Sequence, residues 1–356
     1  MHRIPMTCHN PSSPPGFVWA VILLALLAAG CSPGLIIARQ LRVAPNQQPE
    51  WLTKPGRWMP EAKVTLTYEV PDPGRWITHQ WASVGTPPVA LRLGIIEPGH
   101  YGFEPSGRWE TNKSRSVFRF EMRVSPDAGK ARSTNAPRGT LFLLHGYGLQ
   151  HDVLVPWGIA LAEAGWRCVL VDLRGHGDSG GKTISFGIQE TDEMIALVSE
   201  LERRNTIAGP VGVLGDSYGA AIGIRWALRD PRIGTVVAMA PYDKLGDAME
   251  GLRASYSRWV PAAWVRQAAR ELPRQLGVPS DALDTTSAPA LRPVPTFLIA
   301  GDADPVTSID AVRRVAARLG PDTRVQVLPK SGHEEIPYEF DALLSPVREW
   351  FAEHLR

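Results

Sequence analysis

The chain has 356 residues, of which 44% are hydrophobic and 21% are charged, and its formal net charge is +2 at pH 7. This length and composition are typical of one large globular domain with appendages. The nearly balanced charge argues against a nucleic-acid-binding protein, because such proteins carry a strongly basic surface.

The first 30 residues predict a signal peptide. The apolar run from Phe17 to Gly30 is short for a membrane span and ends in small residues just before Cys31. Residues 27–31, LAAGC, resemble the lipobox of bacterial lipoproteins, which implies cleavage before Cys31 and attachment of lipid to its sulfur. The alternatives are a retained signal anchor and a simple secretory signal. By the same resemblance, a residue other than Asp after the cysteine, here Ser32, favours the outer membrane of a Gram-negative cell.

The three cysteines do not predict a disulfide in the mature chain. Cleavage before Cys31 would remove Cys8, and Cys168 lies in an apolar strand without a remaining partner.

Two segments lie between the signal peptide and the main domain. Residues 31–60 are rich in Pro, Gln and Asn, which predicts a tether that holds the protein off the membrane. Residues 61–136 predict N-terminal β-strands that join the sheet, on the alternating pattern of residues 64–70 and 118–124 and the apolar run 89–96. We interpret the tryptophans of this third as packing residues rather than as a belt touching lipid. They are Trp51, Trp58, Trp76, Trp81 and Trp109.

From Gly139 onward the pattern is strand, glycine turn and helix, repeated, which predicts an α/β fold with a mostly parallel central sheet. The strand candidates are Thr140–Leu144, Arg167–Val171, Val211–Leu214, Gly234–Met239, Thr296–Ile299 and Arg324–Leu328. The clearest helices are Gln189–Arg204 and Ala311–Leu319. Residues 137–240 and 294–356 form this core, and residues 241–293 predict a helical cap between its strands 6 and 7.

The cap prediction depends on apolar residues at helical spacing. Leu245, Met249, Leu252 and Tyr256 recur along one side of a helix. We expect this stripe mainly to pack on the core and in part to line a pocket beneath the cap.

Residues 210–226 form the segment around which the rest is organised. An apolar strand runs into Gly215-Asp216-Ser217-Tyr218-Gly219, and good helix formers follow. A serine in G-x-S-x-G between a strand and a helix is the nucleophile elbow. The turn strains the backbone of Ser217, and the two glycines remove side chains that would collide there.

A serine hydroxyl needs a base to remove its proton and a third group to orient that base. Asp304 follows the apolar strand at residues 297–300, and His333 follows the next strand. Ser217, Asp304 and His333 therefore occur in the chain order of a nucleophile, an acid and a base.

From Gly139 to the C-terminus the chain resembles the α/β-hydrolase fold, in particular the serine hydrolases that are monoacylglycerol-lipase-like and serine-aminopeptidase-like. Besides the elbow and the two loops, residues 144–148 (LHGYG) and 172–179 (DLRGHGDS) carry this resemblance. It implies that Ser217 is the nucleophile, His333 the general base and Asp304 the residue that holds the imidazole tautomer. It also implies an oxyanion hole made by the backbone N–H groups of Tyr147 and Tyr218.

Each of these roles has a rival. Asp302 and Asp243 are alternative acids, and we expect Asp302 to cap its turn instead. We expect His145 and His176 to orient loops and His151 to lie at the surface. Asp216 is interpreted as a polar filler, with modulation of the charge at the site as the alternative.

The sequence predicts a serine hydrolase of the cell envelope that cleaves carboxylic esters through an acyl-serine intermediate. A peptidase or amidase with the same triad is one alternative, and a non-catalytic envelope scaffold is another. No cofactor or metal is expected, because the chain shows no metal-ligand cluster and the glycine-rich run 175–181 lacks the Lys-Ser/Thr of a P-loop. The expected partners are a small ester or acyl substrate and the membrane, without nucleic acid or nucleotide.

Overall fold

A computed structural model describes residues 2–5, 32–48, 64–70, 76–112, 115–125, 127–128, 136–287 and 292–356. The apolar run of the predicted signal peptide, Cys31, Trp51 and Trp58 lie outside the described residues.

Twelve strands and eight α-helices are described. The strands are β1 (His2–Pro5), β2 (Val64–Val70), β3 (Ile77–Val84), β4 (Val89–Ile96), β5 (Glu104–Asn112), β6 (Arg115–Arg123), β7 (Thr140–Leu144), β8 (Arg167–Val171), β9 (Val211–Asp216), β10 (Ile233–Met239), β11 (Thr296–Gly301) and β12 (Thr323–Leu328). The helices are α1 (Pro33–Arg42), α2 (Val155–Glu163), α3 (Ile188–Arg203), α4 (Tyr218–Arg229), α5 (Leu245–Tyr256), α6 (Ala262–Leu276), α7 (Ile309–Leu319) and α8 (Phe340–His354).

Eight strands form the main sheet, in the order β12-β11-β10-β9-β7-β8-β4-β3. The strands from β7 to β12 pair in parallel, whereas β4 is antiparallel to β8 and β3 is antiparallel to β4. The six strands predicted from the apolar runs after Gly139 are all present, with ends that differ by at most two residues. Every residue of β7, β9 and β11 is buried, because helices cover both faces of a parallel sheet.

The register of the parallel strands brings their carboxyl ends to one edge. Leu144 at the end of β7 lies opposite Gly215, and Asp216 at the end of β9 lies opposite Met239. Met239 in turn lies opposite Ile299 of β11. The loops that carry the predicted chemistry therefore leave the sheet side by side.

The prediction that the N-terminal strands join the sheet holds for β4 and is wrong for β2 and β6. The strands β1, β2, β6 and β5 form a separate four-stranded sheet. Phe118, Phe120 and Met122 of β6 are buried on its inner face, and Phe120 stacks on Phe340 at the start of α8. The alternating pattern predicted the strand and its buried face but carries no information on which strand is its neighbour.

The predicted tether is wrong over residues 33–48, which are docked on the domain. Ala38 of α1 is fully buried, and Gly34 lies against Gln267 of α6. Beyond α1, the Ala44 N–H donates to the Lys182 carbonyl, and Asn46 Nδ2 donates to the carbonyls of Gly177 and Ser179. This segment therefore runs from the cap to the loop that follows β8.

The predicted cap is a pair of helices, α5 and α6. Leu245 and Met249 of α5 are buried in the core, in agreement with the expectation that this stripe mainly packs there. Leu252 is exposed. Gly251 lies so close to Val306 that a Cβ on it would come within 2.7 Å of the Val306 Cα. The cap thus rests directly on the loop after β11. Within the described ranges, no helix combines the length and apolar character needed to cross a membrane.

Candidate active site

Ser217 occupies the strained turn that the elbow motif predicts. It has φ 49° and ψ −105°, between the end of β9 and the first residue of α4. A Cβ on Gly219 would lie 2.1 Å from the Leu144 carbonyl oxygen, and one on Gly215 would lie 2.5 Å from the Gly219 carbonyl oxygen. Any other residue at these two positions would collide with backbone, so both glycines are needed for the turn.

His333 connects the serine to a carboxylate. Its Nε2 lies 2.9 Å from Ser217 Oγ, and its Nδ1 lies 2.8 Å from Asp304 Oδ2. With the proton on Nδ1, the ring donates to Asp304 and Nε2 can accept the proton of the serine hydroxyl. The structure thus brings together the three residues that the sequence placed in chain order.

Asp304 is held by three further hydrogen bonds. Its Oδ1 accepts from the N–H groups of Val306 and Thr307 at 2.7 and 2.9 Å, and its Oδ2 accepts from the Thr307 hydroxyl at 2.6 Å. Thr307 was not predicted from the sequence. A threonine three residues after an aspartate in a turn is the signal that could have indicated it, since such pairs satisfy backbone groups locally.

These contacts set the charges of the pair. Burial would raise the pKa of Asp304, but the hydrogen bond and charge of His333 and the bonds from Thr307 outweigh it, so the pKa is lowered. For His333, burial would lower the pKa, while Asp304, Asp216 and Glu334 together raise it. Asp304 therefore stays ionised and stabilises the imidazolium that forms when His333 takes the serine proton.

Comparison with known proteins agrees with the fold. Residues 135–284 match the family described as serine aminopeptidase, S33. The esterase Pf2001 of Pyrococcus furiosus is similar in structure, with a TM-score of 0.54 over 79% of this chain and 92% of that one at 20% identity. The α/β hydrolase GrgF of Penicillium sp. sh18 also has a TM-score of 0.54, over 78% of this chain and 99% of that one at 14% identity. The chain has the α/β-hydrolase fold.

One relative matches in sequence as well. The uncharacterized protein YqkD of Bacillus subtilis (strain 168) is 32% identical over 88 residues, which is 25% of this chain. The match spans 29% of the length of that relative. The expected fold is confirmed, and in this α/β-hydrolase fold Ser217, Asp304 and His333 occupy the loops at the carboxyl edge of the sheet.

The loop at residues 145–148 of the α/β-hydrolase fold lies beside the nucleophile. A Cβ on Gly146 would come within 3.7 Å of Ser217 Cβ and 3.0 Å of Asp216 Oδ2. Tyr218 is the first residue of α4, so its N–H belongs to the unpaired first turn of a helix. The peptide after Gly146 and the start of α4 thus flank Ser217 on two sides, which is the placement that the predicted oxyanion hole requires.

The two rival acids are engaged elsewhere. Asp243 is fully buried, and its carboxylate oxygens accept from Arg314 Nε at 2.6 Å and Arg318 Nη1 at 2.7 Å. Asp302 accepts from the Lys330 N–H at 2.5 Å, which is the capping role expected for it. Neither contact leads to His333.

The other histidines of the site hold loops in place. His145 Nε2 accepts from the Leu173 N–H, and its Nδ1 donates to the Gly146 carbonyl. Burial, with the neighbouring His176, lowers the pKa of His145 to about 3, so the ring is neutral. His176 Nδ1 donates to the Arg174 carbonyl, and burial lowers the pKa of this ring too. Both histidines fit the expected loop-orienting role.

The expectation that His151 lies at the surface is wrong. Its side chain is 5% exposed, and Nδ1 lies 2.8 Å from Asp172 Oδ1. The same oxygen accepts from the His151 N–H. His151 is drawn inward because the buried carboxylate of Asp172, just after β8, needs hydrogen-bond donors.

Asp216 differs from a polar filler. Its carboxyl is buried, and Oδ1 has no hydrogen-bond partner among the described residues. Burial, with the charge of Asp304, raises the pKa of Asp216 to about 7, although His333 acts in the opposite direction. This favours the alternative interpretation, in which Asp216 modulates the charge at the site.

Aromatic side chains surround the 145–148 loop. Tyr147 stacks parallel to Phe186 and meets Tyr218 edge to face, with ring centroids 6.4 and 6.1 Å apart. The ring of His176 lies 5.7 Å from that of Tyr218. This cluster offers an apolar wall beside the nucleophile.

The described residues hold no group of three or more His, Cys, Asp or Glu side chains positioned to bind a metal ion. A cavity of about 500 Å³ lies at the opposite edge of the sheet and is lined by Glu163 and Arg348, among others. The Glu163 carboxylate already has hydrogen-bond partners, because its Oε1 accepts from the N–H groups of Tyr101 and Phe103. This cavity is remote from Ser217 and contributes nothing to the triad.

Proposed function

We propose that the chain is a serine hydrolase that cleaves carboxylic esters. The observation that carries the proposal is the continuous chain of hydrogen bonds from Ser217 Oγ through His333 to Asp304. In the reaction, Ser217 Oγ attacks the ester carbonyl as its proton passes to His333 Nε2. The imidazolium then protonates the departing alkoxide, which leaves an acyl-Ser217 intermediate. Water, deprotonated by His333, attacks this intermediate and releases the acid.

The N–H groups of Tyr147 and Tyr218 are proposed to stabilise the oxyanion of both tetrahedral intermediates. The first turn of α4 adds its positive dipole end at the same place. Loss of one such donor typically costs about 3 to 4 kcal/mol of transition-state stabilisation. The aromatic wall formed by Tyr147 and Phe186 supports a substrate with an apolar group.

A peptidase or amidase is the second candidate, and the description of the matched family as a serine aminopeptidase favours it. The triad itself does not distinguish the two leaving groups, because His333 can protonate either an alkoxide or an amine. The site of a hydrolase of either kind is labelled by a fluorophosphonate, which forms a covalent bond with an activated serine.

The test of the proposal is fluorophosphonate labelling of the wild type, Ser217→Ala and His333→Ala. We expect labelling of the wild type alone, and then faster turnover of p-nitrophenyl esters than of aminoacyl amides. A folded wild type without labelling would favour the scaffold alternative, and preferred turnover of the amides would favour the amidase.

We also propose that Cys31 carries lipid and anchors the enzyme to the bacterial envelope, in the outer membrane of a Gram-negative cell. Residues 27–31, LAAGC, support this proposal. Metabolic labelling with a fatty-acid analogue, compared between wild type and Cys31→Ser, tests it. Equal labelling of the two would contradict it.

A further inference from the structure

Helix α1 fixes the start of the described domain beside the cap. A Cβ on Gly34 would lie 2.5 Å from Gln267 Cβ, so the backbone of α1 touches α6 directly. Ala38, one turn later, is fully buried, and Arg42 Nη1 donates to the Gln275 carbonyl at 2.9 Å. α1 is therefore in contact with α6 along its length.

The proposed lipid attachment site lies just before this helix. Ser32 precedes α1, and its carbonyl accepts from the Leu35 N–H, so it belongs to the first turn. Cys31 is three residues from Gly34 and can lie at most about 11 Å from it even if the chain is extended. A lipid on Cys31 would therefore enter the membrane next to α6.

The outward side of α6 carries a row of arginines. Arg266, Arg270 and Arg274 are exposed and spaced by four residues, so they share one face of the helix. Of these, Arg274 pairs with Glu271 at 2.7 Å. We call these three arginines the basic face of α6.

An exposed aromatic residue lies in the turn just before α6. Trp259, in the turn between α5 and α6, is 52% exposed, and its neighbour Arg258 is also exposed. Tryptophan is enriched at the interface between a bilayer and water, and arginine near that surface binds lipid phosphates. The composition of the turn and the basic face thus matches that of a segment that lies on a membrane.

The same cap contacts the loops of the active site. Gly251 of α5 packs on Val306, two residues after Asp304. At the end of α5 the Tyr256 hydroxyl donates to Glu334 Oε1 at 2.5 Å, next to His333. The turn that holds Trp259 begins directly after this contact, so the end of α5 connects the exposed turn to the loop of His333.

We propose that the basic face of α6, together with Trp259, rests on an anionic phospholipid surface, and that the active site takes its ester from that membrane. The proposal rests on the proposed hydrolase activity and on the lipid anchor at Cys31. The anchor and the basic face act together, because α1, which begins just after Cys31, docks on α6.

The test uses the full chain in vesicles of phosphatidylcholine with phosphatidylglycerol, some containing brominated acyl chains that quench tryptophan on contact. The quenching that is due to Trp259 is the difference in fluorescence quenching between the wild type and Trp259→Phe. The charge variant is Arg266→Gln/Arg270→Gln/Arg274→Gln. Its matched control, Arg203→Gln/Arg229→Gln/Arg313→Gln, removes the same charge from exposed positions on other helices.

We expect quenching of Trp259 by brominated lipid that falls at least severalfold in the charge variant and is unchanged in the control. Absence of quenching at Trp259, or equal quenching in the wild type and charge variant, would overturn the proposal. Fluorophosphonate labelling of the protein in the same vesicles measures the activated serine separately. A failed membrane contact and a failed catalytic assignment therefore give different results.

Discussion

Asp216 Oδ2 lies 3.0 Å from the position that a Cβ on Gly146 would occupy, so the carboxyl beside the nucleophile is packed against the 145–148 loop. A side chain at position 146 would press on this carboxyl, and Asp216 Oδ1 has no partner among the described residues. A group in this position affects the titration of His333, because its charge raises the pKa of that ring.

Replacement of Asp216 by Asn is therefore expected to change the pH profile. Without the charge of Asp216, the pKa of His333 falls, and the acidic limb of kcat/KM moves to lower pH. The measurement is kcat/KM for a soluble ester across the pH range. Asp302→Asn is the control, because that exposed carboxylate caps a turn. An acidic limb that stays in place in Asp216→Asn would contradict the coupling.

The same substitution is expected to change how stability depends on pH. The pKa of Asp216 in the folded protein, about 7, is above its ordinary value. The contribution of this group to the free energy of unfolding is therefore complete only at acidic pH and is lost as pH rises towards 7. Between about pH 4 and 7, the free energy of unfolding of the wild type should fall by up to about 1.4 kcal/mol per pH unit relative to that of Asp216→Asn. Denaturant unfolding at several pH values measures this difference. Parallel curves for the two proteins would show that the carboxyl is not buried as described.

The backbone at Ser217 predicts a stability difference between two inactive variants. Ser217→Gly and Ser217→Ala both lose the hydroxyl, but only glycine adopts φ 49° and ψ −105° without strain. After the greater flexibility of glycine in the unfolded chain is allowed for, Ser217→Gly should be more stable than Ser217→Ala by about 1 kcal/mol. Chemical denaturation of the two variants checks this. Equal stabilities would mean that the strain at Ser217 is no larger than the flexibility cost of glycine.

Much of this site could be predicted because its signals are local. The elbow needs glycines at 215 and 219 for steric reasons that the backbone contacts now show. Asp304 and His333 follow apolar strands, and the parallel register brings the ends of such strands together. Sequence therefore located the three residues without any knowledge of their distances.

The features that were missed depend on contacts between distant segments. α1 has 10 residues, too few for a stable isolated helix, and its stability comes from packing on α6. Gly34 and Ala38, small residues one turn apart, were the available signal for this close contact. The burial of His151 likewise depends on Asp172, 21 residues later in the chain. Neither partner can be identified from a local pattern.

The two aspartates after β10 and β11 should respond differently to replacement by Asn. Asp304→Asn leaves His333 without its acceptor and favours the wrong tautomer, so kcat should fall by about 10⁴-fold. Asp243→Asn weakens the contacts with Arg314 and Arg318 and should lower stability by about 1 to 3 kcal/mol, with nearly normal kcat for the folded enzyme. Kinetics and denaturation on both variants separate the two roles. A large loss of kcat in Asp243→Asn would restore that residue as the acid.

Gly34→Val is expected to displace α1 from the cap. Its Cβ would meet Gln267 Cβ at 2.5 Å, a contact that rotation of the Gln267 side chain cannot relieve, because Cβ is fixed to the backbone of α6. The backbone amides of residues 35–42 should then exchange with deuterium at least about tenfold faster than in the wild type, since local opening costs less free energy. Arg39→Val is the control, because it places the same valine side chain at an exposed position of the same helix. If exchange is already fast in the wild type, residues 32–48 behave as the flexible tether that their composition suggests. If only Gly34→Val accelerates exchange, the docked helix holds the start of the domain against the cap.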